Sequence, residues 1–286
     1  MHAQDVRHVG VVGCGLMGSG IVEVLARAGL QVTFVEGSDA LVARGLGVIE
    51  RSVGKAVDRG KLEPAAGEDV LARVNGATSL DALADTDLVI EAATEEIDDK
   101  LEIFRKLGRI TRPDVVLASN TSSIPIVQLA VASERPDHVI GMHFFNPPTV
   151  MKLLELTPAE TTDPGTFELV RAFGSEVLGK TCVRSSDQAG FIVNRLLIPY
   201  LFDAIRLYEV DFTTREDIDT AIVLGLGHPM GPLTLADLIG LDTVLSIGEV
   251  LHRAFPEAKY EAPVLLRQMV VDGKIGRKSG EGFYPY

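Results

Sequence analysis

Apolar and polar positions divide the chain into two regions. In the first two thirds, short apolar runs at residues 9–12, 31–35, 87–93, 115–118, 139–144, 153–156 and 180–184 alternate with longer stretches of helical periodicity. Several runs are apolar at nearly every position, the pattern of strands covered on both faces. Between them, apolar residues recur every three to four positions: Ile21, Val24, Leu25 and Ala28, then Leu41 to Val57, then Leu101, Ile103, Phe104, Leu107 and Ile110. Helices are accordingly expected over 39–61, 97–110 and 163–178, with a short one opened by Ile124-Pro125. This alternation predicts an α/β fold with a doubly wound, mostly parallel sheet. The polar run Ser185 to Gly190 marks a boundary, giving domains 1–186 and 187–286. From Phe191 onward only helical patterns occur. The first contains Ile192, Leu196, Leu197, Leu201, Ile205 and Leu207, with Pro199 expected to kink it. Others are predicted near 215–224, 233–239, 242–252 and 263–272, so the second domain reads as all-helical.

Gly13-Cys14-Gly15-Leu16-Met17-Gly18 follows the first strand directly and opens the first helix. In that setting the first glycine permits a tight turn, the second lets backbone approach a pyrophosphate, and the third lets helix pack on strand. The N–H groups of Leu16, Met17 and Gly18 then open a helix whose dipole favours anions. Glu36 ends the second strand 21 residues after Gly15, where an acidic side chain accepts ribose hydroxyls. Gly37 and Ser38 supply no cation for a 2′-phosphate, so the pattern points to NAD rather than NADP. Taken singly, the glycines also fit a purely structural turn and Glu36 a solvated strand end. Together they predict a Rossmann-type NAD site.

Other polar residues collect at strand ends, where open α/β sheets bind ligands. Glu95, Glu96 and Lys100 follow the third main run, and Ser119-Asn120-Thr121-Ser122-Ser123 follows the fourth. Position makes them candidates, although on pattern alone the helix dipole is the favoured account of Glu96, and capping and turn chemistry that of the Ser119 to Ser123 run. His143 lies in Gly141-Met142-His143-Phe144-Phe145-Asn146-Pro147-Pro148, and Glu155 in the run after it. If the two runs pair antiparallel about a turn near Thr149, His143 and Glu155 face each other as a base and its orienter. The alternative is a buried strand end beside an ordinary solvated glutamate. Arg51, Ser52, Lys55, Arg59 and Lys61 cluster on the second helix, as a solvated face or a phosphate-binding patch.

Composition narrows the chemistry. With 27 Lys plus Arg against 40 Asp plus Glu, the net charge of −13 opposes binding to nucleic acid. Two cysteines, Cys14 and Cys182, exclude a disulfide framework, and six scattered histidines show no metal-ligand spacing. No apolar run approaches membrane-spanning length and the amino end carries no leader pattern, so a cytoplasmic protein without membrane contact is expected. Alcohol oxidation by NAD needs a base near neutrality within reach of the hydroxyl, and a histidine oriented by a carboxylate meets that need without metal. His228, in a proline–glycine loop, reads as structural, and the glycine-rich stretch 273–282 as either an ordered terminal loop or a substrate-facing one.

Several unlinked motifs agree in order: Ser119 to Ser123, His143-Phe144-Phe145-Asn146-Pro147, Glu155, and Gly190-Phe191-Ile192-Val193-Asn194-Arg195. In these the chain resembles the L-3-hydroxyacyl-CoA dehydrogenases over nearly its whole length. The resemblance implies that His143 is the catalytic base, Glu155 its partner, and Ser122 and Asn194 the groups that hold the substrate hydroxyl and thioester carbonyl. It places Glu95, Lys100 and Asn120 with the glycine loop and Glu36 in the NAD site. It assigns the CoA phosphates to Ser52, Lys55 and Arg59, although Gly54 and Asp58 occur where relatives are often basic. The implied reaction is NAD-dependent oxidation of (S)-3-hydroxyacyl-CoA, short-chain substrates such as 3-hydroxybutyryl-CoA being preferred, by a homodimer whose helical domain contributes substrate and dimer contacts. A gulonate-type sugar-acid dehydrogenase is the second enzyme reading, disfavoured by the apolar Phe144-Phe145. A crystallin-like NAD-binding relative without turnover is the third.

Overall fold

A computed structural model of the protein describes residues 2–286. Its contacts divide the chain into two compact units, the first through Asp187 and the second from Gln188 to Tyr286. The division falls one residue beyond the expected boundary. Asp187 belongs to the first unit because its carboxylate accepts the backbone N–H groups of Ile126 (2.7 Å) and Val127 (2.9 Å).

In the first unit, β1 (His8–Val12), α1 (Leu16–Arg27), β2 (Gln31–Val35), α2 (Asp39–Asp58), α3 (Pro64–Ala72) and β3 (Val74–Ala77) supply three strands on one side of the sheet and the helices that connect them. The chain continues through β4 (Leu88–Glu91), α4 (Ile97–Ile110), β5 (Val116–Ser119), α5 (Ile126–Ala132), β6 (Val139–Phe144), β7 (Leu153–Pro158), α6 (Pro164–Ala172) and β8 (Thr181–Arg184). Eight strands lie in the order β3-β2-β1-β4-β5-β6-β7-β8, all pairs parallel except β6 with β7. The order reverses direction at β1, the switch point at which doubly wound sheets bind nucleotides. Strand alternation sorts side chains into two cores. Val9, Val11, Phe34, Ile90, Ile140, Met142 and Phe144 pack with α1, α2 and α6, and Val12, Val89, Leu117 and Val139 pack with α4 and α5.

Four elements differ from expectation. The helix expected over 39–61 ends at Asp58, where the chain turns through Gly60 at φ +65°. Neither α3 nor the edge strand β3 is visible in the periodicity. In Val74-Asn75-Gly76-Ala77 the polar Asn75 and Gly76 break the apolar run, and a Cβ on Gly76 would meet Val42 of α2 at 2.4 Å. The helix expected over 163–178 is α-helical only to Ala172. A π-helical turn, Phe173–Val177, completes it, closed by the Leu178 N–H to Phe173 carbonyl bond at 3.1 Å.

The second unit comprises α7 (Val193–Glu209), α8 (Arg215–Leu226), α9 (Pro232–Ile239), α10 (Leu241–Ala254) and α11 (Val264–Val271). Its core gathers Ile198, Leu201, Phe202, Leu233, Leu241, Leu251, Tyr260 and Leu266. Pro199 lies inside α7 and has no N–H for the Arg195 carbonyl, which the Tyr260 hydroxyl approaches at 3.5 Å. Stretch 273–282 is an ordered terminal loop. Gly276 closes on Glu281, and the buried Asp237 carboxylate accepts the N–H groups of Phe283 and Tyr284, both at 2.9 Å. Burial, with the nearby Asp219 charge adding to it, holds the Asp237 carboxyl above its ordinary value despite those bonds. His228 sits beside the Tyr200 ring, at 5.9 Å between centroids.

Candidate active site

The site is built at the carboxyl ends of the parallel strands. At β1, Gly13 takes φ +88°, and a Cβ there would strike the Ala92 carbonyl at 2.8 Å. A Cβ on Gly18 would meet the Gly13 carbonyl at 2.0 Å, so this glycine is required by the close seat of helix on strand. Gly15 is different. A Cβ there would meet nothing within 4 Å, so folding leaves open space at the position where the motif brings backbone to a pyrophosphate. Gly15 is also the N-cap of α1 and provides no side-chain cap, which leaves the first-turn N–H groups of Leu16, Met17 and Gly18 suited to an anion. Leu16 is 73% exposed, so at this position too the turn faces outward. The residues present therefore fit a dinucleotide.

Glu36 follows β2, and its Oε1 accepts the Cys14 N–H at 2.6 Å. The acidic residue thus fastens the glycine turn. Burial, and after it the Glu36 charge, pushes the Cys14 thiol up to about 12, so the sulfur stays protonated and inert at neutral pH.

Beyond β1, the ends of β4 and β5 carry a connected set of polar groups. Lys100 of α4 is buried with its Nζ 2.6 Å from Glu91 and 3.3 Å from Glu95. The Glu95 carboxylate accepts from the Thr121 and Ser123 hydroxyls and from the Ser122 N–H at 2.8 Å, so it orders the loop after β5. Burial alone would raise the Glu95 carboxyl, but the Lys100 charge and these hydrogen bonds outweigh it and hold the group below its ordinary value. Asn120 turns its Oδ1 to the Phe144 N–H at 2.8 Å, tying this loop to the end of β6.

His143 and Glu155 are directly opposed in the antiparallel β6–β7 pair. Directly opposed residues point to the same face, and here Met142, Phe144, Leu154 and Leu156 take the other one. Nδ1 of His143 lies 2.7 Å from Oε2 of Glu155, with Glu155 fully buried and the imidazole 7% exposed. The Phe145 ring lies 4.6 Å from the imidazole, centroid to centroid. The connecting turn holds a cis Asn146–Pro147 peptide. It is fastened by Lys180, whose ammonium donates to the carbonyls of Pro148 (2.6 Å) and Met151 (2.7 Å). Pro148 also packs on α1, where a Cβ at Gly20 would meet it at 2.7 Å.

The structure thus brings Glu95, Lys100, Asn120, Ser122, His143 and Glu155 to one edge of the sheet with the glycine turn and Glu36. Ser52 and Lys55 lie in the last turns of α2 and Arg59 caps its carboxyl end, Lys55 and Arg59 exposed. That helix packs with α1, α3 and β3, towards the opposite end of the strand order from β6. Asn194 lies in the first turn of α7 and is 8% exposed. Glu91 and Lys180 emerge only with the fold. The one available signal for Glu91 was a charged residue closing an otherwise apolar strand, and Lys180 carried none. Among the described residues, no three or more His, Cys, Asp or Glu side chains are grouped to hold a metal, and no helix is long and apolar enough to cross a membrane.

Comparison with known proteins agrees with this architecture. The family model for the NAD-binding domain of 3-hydroxyacyl-CoA dehydrogenase matches residues 8–188, and that for the C-terminal domain matches residues 190–286. The chain is 49% identical over 282 residues to a 3-hydroxybutyryl-CoA dehydrogenase of Mycobacterium tuberculosis, covering 98% of this chain and 99% of the relative. It is 43% identical to the human mitochondrial hydroxyacyl-coenzyme A dehydrogenase, covering 98% and 91% of the two chains. Among solved structures, M. tuberculosis FadB2 superposes with a TM-score of 0.96 at 49% identity, covering 98% of this chain and 99% of that one. The (S)-3-hydroxybutyryl-CoA dehydrogenase of Ralstonia eutropha gives a TM-score of 0.92 at 44% identity with the same coverage. With a nucleotide-binding sheet, a helical second unit and family matches spanning nearly every residue, the chain belongs to the 3-hydroxyacyl-CoA dehydrogenase family and is an NAD-binding dehydrogenase.

Proposed function

We propose that the protein interconverts (S)-3-hydroxyacyl-CoA and 3-oxoacyl-CoA, with 3-hydroxybutyryl-CoA as its preferred substrate, and that His143 and Glu155 carry the proton transfer. The observation that carries this reading is the 2.7 Å contact between His143 Nδ1 and Glu155 Oε2 at the nucleotide-binding edge of the sheet. A carboxylate on Nδ1 holds the proton there and leaves Nε2 as the basic nitrogen. In the oxidation, Nε2 takes the hydroxyl proton as the C3–H bond breaks and the C3–O bond becomes a carbonyl. NAD, when bound, supplies the acceptor for the departing hydride. The imidazolium formed is stabilised by Glu155, and in the reduction the same proton returns to the oxygen.

Ser122 is the group assigned to the substrate oxygen, and its N–H bond to Glu95 supports that assignment by fixing the loop before substrate arrives. Asn194 is assigned to the thioester carbonyl, and Ser52, Lys55 and Arg59 to the CoA phosphates. The 3-hydroxybutyryl-CoA dehydrogenases among the relatives support the short-chain preference. A cytoplasmic homodimer is the corresponding assembly. Val210, Phe212, Leu224 and Leu226 of the helical unit, all more than 60% exposed, are the apolar surface a second copy would cover.

The test follows loss of NADH absorbance with acetoacetyl-CoA and with 3-oxoacyl-CoA thioesters of increasing chain length. The highest kcat/KM is expected for acetoacetyl-CoA. No turnover of any thioester by protein that binds NADH would end the reading, and a maximum at long chains would end its short-chain clause.

A further inference from the structure

Three charges meet where β4 and β5 end. The Lys100 ammonium, 1% exposed, pairs with Glu91 at 2.6 Å and with Glu95 at 3.3 Å. Glu91, fully buried, also accepts the Ala93 N–H at 2.7 Å and the Ser119 hydroxyl at 2.6 Å. Two carboxylates against one ammonium leave a net charge of −1, because hydrogen-bond donors solvate that charge without cancelling it. Glu95 alone could pair Lys100 and order the loop. The second carboxylate is therefore in excess of what neutralising Lys100 requires, and burying it is costly.

The nucleotide's two oxidation states differ by one positive charge on the nicotinamide ring. Glu36 after β2 and the glycine turn after β1 occupy one side of the switch point, so a dinucleotide spanning that point would extend its other half towards the ends of β4 and β5, where this cluster lies. We propose that the net negative charge contributed by Glu91 biases the site towards the oxidised, positively charged nicotinamide, so that a residue buried beneath the loop sets the ratio of NAD+ to NADH affinity. The inference rests on the NAD reading above and adds to it a residue acting through its field. At the effective dielectric of a protein, removing one unit charge near a charged ring changes such a ratio on the order of tenfold after partial screening.

The experiment measures the Kd of NAD+ and of NADH separately, by calorimetry and by NADH fluorescence, in the native protein and in three variants. Glu91→Gln takes the cluster from −1 to 0 and is expected to move the ratio about tenfold towards NADH. Lys100→Met removes the only cation of the cluster and should move the ratio the other way. The double variant Glu91→Gln/Lys100→Met returns the net charge to −1, and its ratio should come back to within about twofold of native, although the local geometry is more altered than in either single variant. A purely geometric role for Glu91 predicts the opposite, that the double variant departs furthest. An unchanged ratio in Glu91→Gln, or no return in the double variant, overturns the inference. If Glu91→Gln does not fold, Lys100→Met against the native protein carries the test, and an unmoved ratio there overturns the inference. Native protein that binds neither form ends the NAD reading itself, whereas variants that bind both forms with an unmoved ratio end only this inference.

Discussion

His143 Nδ1 and Glu155 Oε2 lie 2.7 Å apart because the two residues are direct partners across an antiparallel strand pair, not because a flexible loop brings them together. The contact is held by backbone register, and both side chains are buried. Replacing Glu155 by Gln preserves volume but offers Nδ1 an amide in place of a carboxylate. The expected result is a loss of about two to three orders of magnitude in kcat with NAD affinity retained. For His143→Gln the loss is about two to four orders. Stopped-flow NADH kinetics with calorimetric NAD binding check both, and near-normal turnover in either variant would remove that residue from the proton transfer.

The glycine turn separates folding from binding. Gly15 has open space where its side chain would stand and φ −72°, which any residue adopts, so Gly15→Ala should melt within a few degrees of native while NAD affinity falls at least about tenfold. Gly18→Ala places a methyl group against the Gly13 carbonyl and should lower the melting temperature itself. Equal melting and equal NAD affinity in both variants would contradict this assignment of the loop.

Glu36, the residue expected to set cofactor choice, also orders the glycine loop, since its carboxylate accepts the Cys14 N–H at 2.6 Å. Glu36→Ser combined with Gly37→Arg should shift preference towards NADPH by removing a repulsive charge and adding a cation. The same change loses the bond to Cys14, so the absolute affinity for either nucleotide should fall. An unchanged ratio of NADPH to NADH kcat/KM would contradict the role given to Glu36.

The loop bearing Ser122 should resist mild acid. The Glu95 carboxyl is held below its ordinary value of 4.5 in the folded protein, so its contribution to order is fully present above that value and is lost as pH falls through the lower, folded one. Hydrogen exchange at the Ser122 amide, followed between pH 6 and 3, should keep its protection until the acid end of the range. In Lys100→Met, which removes the charge that lowers the Glu95 carboxyl, protection should fail at higher pH. Identical profiles for the two proteins would show that Lys100 does not support the loop.

Apolar runs, helical periodicity and the glycine fingerprint were enough to predict a parallel nucleotide-binding sheet and a helical second domain, because each is a local pattern with a short repeat. They also gave the register of His143 and Glu155, since a turn centred at Thr149 leaves only one direct opposition. The edge strand β3 escaped because Asn75 and Gly76 interrupt its apolar character, and the π-turn after Ala172 because one extra residue in a helical turn hardly alters the periodicity. Glu36 and Gly15 could be assigned from spacing alone, but the bond from Cys14 to Glu36 could not. Glu95 and Lys100 could be placed at a strand end from sequence, but their pairing with Glu91, which looks like the polar end of a strand, could not. Only the approach of α4 to the ends of β4 and β5 brings Lys100 between Glu91 and Glu95, a juxtaposition that depends on tertiary packing and leaves no local pattern.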